Sequence, residues 1–126
     1  MTVRCVIVDD SPAVLRAARG LLEREGIAVV GLAATGAEAL RLAGELEPDV
    51  MLVDIDLGRD SGFEVARRLV AVADRAPLRS ILISTHDEAD FADLIAASPA
   101  IGFLPKSDLS AEAIHELLAR ARDEGR

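Results

Sequence analysis

The chain has 126 residues, 51% of them hydrophobic, so it is long enough for one folded domain with its own core. Its net charge of −8 argues against direct binding of nucleic acid or of an anionic membrane, and it favours cations or basic partners. The longest uncharged stretches, residues 26–37 and 94–105, contain 12 residues each, which is too short to cross a bilayer.

The first predicted element is a strand over residues 3–8, "VRCVIV", and a helix follows it. Ser11 and Pro12 are residue types favoured at a helix N-cap and at the first helical position. The strand contains Cys5, the only cysteine, which can form no internal disulfide. Since no signal peptide is recognisable either, a reducing cytoplasm is expected.

The second unit repeats this alternation. An apolar strand over residues 27–33 precedes Thr35-x-x-Glu38, a capping box that predicts the start of a second helix. Pro48 lacks the backbone N–H that a helix needs, so it prevents this helix from continuing.

The third unit begins with a strand over residues 50–53, and Ser61-x-x-Glu64 forms a second capping box that predicts the third helix. Most strands are continuously apolar, as expected for strands that are covered on both faces. The remaining predicted elements are a strand at 80–84, a helix at 88–97, a strand at 101–104 and a helix from about residue 111.

Five strands, each followed by a helix, predict an α/β fold: a doubly wound parallel sheet with helices on both faces. The flavodoxin-like strand order 2-1-3-4-5 would place strands one and three side by side. The chain has no repeat, low-complexity tract or internal linker, so residues 1–126 are expected to form a single domain.

Acidic residues follow two of these strands. Asp9 and Asp10 end the first strand and Asp54 ends the third, so in the flavodoxin-like order the three carboxylates meet at one sheet edge. Such a set of oxygen ligands suits a hard divalent cation, Mg²⁺ or Mn²⁺. The alternative is that each aspartate is a solvated strand end or a helix cap, which explains any one of them better than all three.

Lys106 follows the fifth strand and is the only lysine among 14 basic residues. Its compact ammonium on a flexible stem can reach into a site that the wider arginine fork would not fit. Ser84 ends the fourth strand with a hydroxyl that can donate to an anionic oxygen. Acids, a metal, an amine and a hydroxyl at one edge suit a phosphoryl group placed on a carboxylate.

These residues lie in four segments: "VDD" at 8–10, "VDIDLGRDSGFEV" at 53–65, "ILISTHD" at 81–87 and "GFLPKS" at 102–107. In this order and spacing, they resemble the receiver domains of bacterial two-component response regulators over essentially the whole chain. The resemblance implies a phosphorylation switch rather than a turnover enzyme. Its partner would be a sensor histidine kinase or a phosphotransfer protein.

The resemblance also implies a role for each site residue. Asp54 matches the phosphoacceptor, Asp10 the direct Mg²⁺ ligand and Asp9 a ligand acting through water. Lys106 matches the active-site lysine. The remaining implied roles are a backbone carbonyl ligand for the metal at Asp56, a switch hydroxyl at Ser84 and a switch aromatic that turns inward on activation at Phe103.

Three positions depart from the family pattern. Gly58 stands where many receivers have proline, Thr85 stands where alanine or glycine is frequent, and Ser107 follows Lys106 where proline is common. Receivers usually have a cis peptide bond after this lysine, so a cis bond before Ser107 is expected. None of these changes removes a required group, and a competent receiver is therefore expected.

Two further expectations concern regulation. Asp56 and His86 flank the mouth of the nucleophile and are candidates to set the lifetime of the phosphorylated state, with solvated loop residues as the alternative. The output is expected through helix four, strand five and helix five, which would bind a partner protein or a second copy of the chain. This face is acidic at Asp87, Glu88, Asp90 and Asp93 and mixed at Glu112, Glu116, Arg120 and Arg122, so direct DNA binding is not expected.

Two alternatives to a stand-alone receiver remain. Asp54-Ile55-Asp56 imitates the nucleophile motif of haloacid-dehalogenase-like phosphatases, although there it usually precedes the acidic pair. The other alternative is the N-terminal receiver of a longer DNA-binding transcription factor, which "GFLPKS" also fits. A stand-alone receiver is favoured, because the chain ends with the fifth helix.

Overall fold

The computed structural model describes residues 2–72 and 78–124. Five strands form the main sheet, and five α-helices follow them in alternation. The strands are β1 (Arg4–Val8), β2 (Ala28–Ala33), β3 (Val50–Asp54), β4 (Arg79–Ser84) and β5 (Gly102–Pro105). The helices are α1 (Pro12–Arg24), α2 (Gly36–Leu46), α3 (Gly62–Val72), α4 (Ala92–Ala97) and α5 (Ala111–Glu124).

The sheet is parallel throughout and has the order β2-β1-β3-β4-β5, which confirms the flavodoxin-like prediction. The central pairing places Val8 of β1 opposite Val53 of β3, and Asp54 opposite Ile83 of β4. Asp9 and Asp54 thus leave neighbouring strands at the same edge. The sheet topology, rather than closeness in sequence, brings the acids together.

The core lies in two layers, one on each face of the sheet. Cys5 and Ile7 point to the layer under α1 and α5, whereas Val6 and Val8 point to the layer under α2 and α3. All four are fully buried, which is why the strand is apolar at every position rather than at alternate ones. Burial of each aliphatic side chain among them contributes about 1.5–3 kcal/mol to the stability of the fold, so β1 stabilises both layers.

Side-chain oxygens hold the first turns of three helices. Ser11 Oγ accepts from the N–H of Val14 at 3.3 Å, and Thr35 Oγ1 accepts from the N–H of Glu38 at 3.1 Å, as predicted. The first turn of α5 is stabilised by a residue that is distant in sequence, Glu25. The N–H of Ala111 donates to Glu25 Oε1 at 2.7 Å, which ties the end of α1 to the start of α5.

The helix predicted at 88–97 forms over that range, but Glu88–Phe91 is a 3₁₀ turn and only the six residues of α4 are α-helical, because Phe91 departs from α-helical geometry. One local prediction was wrong. The predicted capping box at Ser61 does not form, since Ser61 belongs to a short antiparallel hairpin of Asp56–Leu57 and Asp60–Ser61. This hairpin itself was not predicted. No helix in the described ranges is long and apolar enough to span a membrane.

Candidate functional site

Three carboxylates converge at the carboxyl edge of the sheet. Ligand oxygens of Asp9, Asp10 and Asp54 lie within 4.8 Å of one another. Asp9 is fully buried, Asp54 is 5% exposed and Asp10 is exposed. Like charges this close repel one another in a poorly solvated site, so the arrangement needs a cation. The two acids that end the apolar first strand are therefore best explained as part of a cation site.

Lys106 supplies positive charge in this structure. Its Nζ lies 2.7 Å from Asp9 Oδ2 and 3.1 Å from Asp54 Oδ2, so one ammonium bridges two strands' acids. The stem crosses from the turn after β5, and the ammonium is largely shielded from solvent. The only lysine of the chain therefore lies at the acidic edge, as the sequence predicted.

Burial and charge oppose each other at this pair. Burial raises the pKa of Asp54, while the N–H of Asp56 and the ammonium of Lys106 counteract part of that rise. For Lys106, burial disfavours the ammonium, but the hydrogen bonds to Asp9 and Asp54 outweigh it and raise its pKa. The Asp54 carboxylate is consequently less stabilised than an exposed one, which makes it a better nucleophile once it is ionised.

The hairpin after β3 holds the side chain of Asp54. The N–H of Asp56 donates to Asp54 Oδ1 at 3.1 Å, which leaves Oδ2 facing Lys106. The turn has Gly58 at φ +71°, the pattern of a type II′ turn, and proline cannot adopt that angle. Glycine at position 58 therefore suits this turn, where proline could not.

Two residues of this region were not predicted from the sequence. A Cβ on Gly62 would lie 2.6 Å from the Cα of Ile55 and closer still to the carbonyl oxygen of Asp54, so any side chain there would displace the backbone of Asp54. Asp60 Oδ2 accepts from the N–H of Gly36 at 2.9 Å and ties the hairpin to the start of α2. The Ser61-Gly62 pair is a sequence signal for a turn. It was interpreted as a helix N-cap because Glu64 follows Ser61 at the spacing of a capping box.

The predicted switch residues lie on the next two strands. Ser84 is buried at the end of β4, and its Oγ accepts from the N–H of His86 at 2.9 Å. Phe103 on β5 is 7% exposed and packs in the layer that contains Phe63 and Leu82. Phe103 thus lies inward, the position that the resemblance associates with activation.

Asp56, Thr85 and His86 are exposed beside this edge. The ring of His86 lies 5.7 Å, edge-on, from that of Phe91, and with Asp56 both line a cavity of about 440 Å³ next to the hairpin. The expected cis peptide before Ser107 is not present, as no cis bond occurs in the described ranges.

The donor set fits a hard divalent cation. All the candidate side-chain ligands are carboxylates, which is the chemistry that Mg²⁺ and Mn²⁺ prefer. Asp9 Oδ2 is buried against the ammonium of Lys106 at 2.7 Å, and this contact leaves a lone pair of the oxygen to offer to a cation. The ammonium of Lys106 stands where it would compete with such a cation for Asp9 and Asp54.

A family model described as "Response regulator receiver domain" matches residues 5–119. A Pseudomonas aeruginosa protein named as a transcriptional regulator is 35% identical over 119 residues, which are 94% of this chain and 55% of that protein. BvgA of Bordetella pertussis, named as a transcription regulator of virulence factors, is 32% identical and is covered to 54% of its length. The chain therefore spans about half the length of these curated relatives.

Among solved structures, a LuxR-family two-component response regulator from Aurantimonas has a TM-score of 0.83 at 32% identity. The likeness covers 94% of this chain and 86% of that one. The range matched by the family model, residues 5–119, includes Asp9, Asp10, Asp54 and Lys106.

Proposed function

The chain belongs to the response regulator receiver domain family, and on that premise we propose that Asp54 accepts a phosphoryl group from a phosphohistidine. The observation that carries this proposal is the buried Asp54 carboxylate, held by the N–H of Asp56 and bridged to Asp9 by Lys106. Receiver domains belong to signalling proteins. Membership of this family therefore favours a signalling role over the haloacid-dehalogenase-like phosphatase considered from the sequence. The donor would be a sensor histidine kinase or a phosphotransfer protein, and the setting the cytoplasm.

The chemistry assigns a task to each residue. An Asp54 oxygen attacks phosphorus while the bond from phosphorus to the donor's imidazole nitrogen breaks, and the imidazole leaves with that electron pair. Lys106 places its ammonium beside the phosphoryl oxygens, and Ser84 can donate its hydroxyl proton to one of them. Before transfer, the N–H of Asp56 and the ammonium of Lys106 hold the carboxylate in place.

Asp9, Asp10, Asp54 and the carbonyl of Asp56 would hold Mg²⁺ or Mn²⁺. When bound, the cation neutralises the acids and the charge on the phosphoryl oxygens. This requirement is open to a direct test. Incubation with phosphoramidate and Mg²⁺ should add one phosphoryl mass to the intact chain, and EDTA should prevent it. Equal phosphorylation with EDTA would show that no divalent cation takes part.

We propose that Asp56 and His86 shorten the lifetime of the phosphorylated state, because both are exposed and line the cavity beside the hairpin that follows Asp54. His86→Ala and Asp56→Asn should each lengthen the half-life at least about threefold, well below the 10²–10⁴ of a full general base. The measurement follows loss of the phosphoryl mass after the donor is removed. Arg59→Gln is the matched control, since Arg59 lines the same cavity without acid–base capacity. Half-lives within about twofold of wild type would reduce both residues to solvated loop positions.

We propose that the output face consists of α4, β5 and α5 and that it binds a partner protein or a second copy of the chain. Support comes from α4, which has no buried residue and whose Leu94 is 53% exposed. Asp93 of α4 is exposed too, as are Asp87, Glu88 and Asp90 in and before the 3₁₀ turn that precedes it. On α5, Glu112, Glu116 and Arg120 are also exposed. Such a face suits a basic partner and does not suit DNA phosphates.

Beryllofluoride, which mimics the phosphoryl group, tests this face. Amide shifts should change from Ser84 through Phe103 into α4 and α5, as a shift of population between two packings. Sedimentation of the same samples reports self-association. Changes confined to the surroundings of Asp54 would contradict this output face.

The relatives support the alternative of a longer protein, because the chain matches about half their length and their names describe transcription regulators. In that arrangement DNA binding would belong to another domain. We propose that residues 1–126 do not bind duplex DNA themselves. Binding by the isolated chain at physiological salt would contradict this.

A further inference from the structure

A second cavity lies at the opposite edge of the sheet from Asp54. Its volume is about 400 Å³, within the range of small-molecule sites. Its walls come from the amino-terminal ends of three strands and from one side of α5. The described residues that line it are Thr2, Val3, Asp49, Arg79, His115, Leu118 and Arg122.

Basic side chains dominate this lining. Arg79 begins β4, while His115 and Arg122 are two turns apart on α5. Within the described residues, neither guanidinium forms an ion pair or hydrogen bond, whereas Arg19, Arg41, Arg67 and Arg68 each pair with a glutamate of their own helix. In a chain of net charge −8, the described lining of this cavity therefore places two guanidinium charges against one carboxylate, that of Asp49.

Asp49 is the one acid in the described lining, and one of its carboxylate oxygens is already hydrogen-bonded. Asp49 Oδ2 accepts from the backbone N–H of Arg4 at 2.8 Å, which commits that oxygen to the start of β1. Leu118, which is buried, and Val3, which is partly buried, add an apolar portion to the walls. The cavity thus combines two guanidinium groups and an imidazole with an aliphatic surface.

These features define the chemistry of a ligand. Guanidinium groups bind carboxylate and phosphate oxygens through paired N–H donors, and an imidazole adds one more. We propose that this cavity, bounded by Arg79, His115 and Arg122, is a binding site for a small organic or inorganic anion bearing carboxylate or phosphate groups. The site is separate from the phosphorylation site and does not depend on it. Arg122, which was expected on the output face, also lines this cavity.

The experiment titrates the metal-free chain with sodium malonate and, separately, with inorganic phosphate, at constant ionic strength set by NaCl. Amide shifts of residues lining the cavity should saturate with a dissociation constant of about 1 mM for at least one anion. The two arms distinguish carboxylate from phosphate ligands. Arg79→Gln and Arg122→Gln, singly and together, should weaken binding, by at least about tenfold for the pair.

Arg120→Gln is the matched control, because Arg120 is an exposed arginine of the same helix outside the cavity lining, and it should leave the constant within about twofold. The single variants keep the test open if the double variant fails to fold. Absence of saturable shifts with either anion would overturn the proposal. A dissociation constant that stays unchanged in both single variants, or one that Arg120→Gln weakens equally, would overturn it as well.

Discussion

Replacement of Asp54 by asparagine is expected to abolish phosphorylation of the chain. Asparagine keeps the size of the side chain but has no ionised oxygen to attack phosphorus, so the loss should be complete. The measurement is the intact mass after incubation with acetyl phosphate or phosphoramidate and Mg²⁺. Asp56→Asn, an exposed neighbour in the same hairpin, is the control and should still gain one phosphoryl mass. Phosphorylated Asp54→Asn would remove Asp54 from the role of acceptor.

The same substitution should stabilise the metal-free fold at neutral pH. Burial raises the folded-state pKa of Asp54 above its unfolded value of about 3.9, so wild type loses stability as pH rises from the unfolded pKa through the folded pKa. Asparagine has no such titration. The difference in unfolding free energy between variant and wild type should therefore be smallest below about pH 4 and grow toward pH 7. Urea titrations at several pH values measure it, and a difference that shrinks with rising pH would contradict burial of Asp54 as the cause.

Substitution of Lys106 should separate metal affinity from phosphorylation. Its ammonium contacts the same two carboxylates that a cation would use, so Lys106→Ala should tighten Mg²⁺ binding about tenfold, or about 1.4 kcal/mol. Phosphorylation should nevertheless slow at least about tenfold, because a charge beside the phosphoryl oxygens is lost. Mg²⁺ titration and the rate of mass gain measure the two effects.

Lys106→Arg tests whether charge alone is enough. The planar fork directs its donors differently and is wider, so it should not bridge Asp9 and Asp54, and phosphorylation should slow although the charge is kept. Arg120→Ala, which removes a positive charge from an exposed position, is the control for the charge that Lys106→Ala loses. Unchanged kinetics in Lys106→Arg would mean that the only lysine of the chain could as well have been an arginine.

The parts of the fold that follow from periodicity and strand-end chemistry were predictable from the sequence. Continuous apolar runs predicted the five strands, and parallel connection placed Asp9 and Asp54 at one edge of the sheet. The outlying lysine, Lys106, was predictable for the same reason, since it too follows a strand. Its two contacts show that residue type and strand position together specify this edge.

Other features depend on contacts that no local pattern encodes. Glu25 caps α5 across 86 positions of sequence, and glutamate in a helix end carries no sign of its partner. The hairpin after β3 pairs only two residues on each side of its turn, too few for a strand pattern to show. Phe103 lies inward because it packs in one layer with Phe63 and Leu82, which are distant from it in sequence.

The phosphoryl group is expected to reside on the carboxylate of Asp54. Sodium borohydride reduces an aspartyl phosphate to homoserine and leaves free carboxylates intact, so it marks the acceptor. The chain is phosphorylated with phosphoramidate and Mg²⁺, reduced, digested and sequenced by mass spectrometry. If Asp54 is the acceptor, homoserine is expected at position 54 and at no other aspartate. Homoserine at Asp9, Asp10 or Asp56, or a phosphorylated chain that yields none, would contradict it.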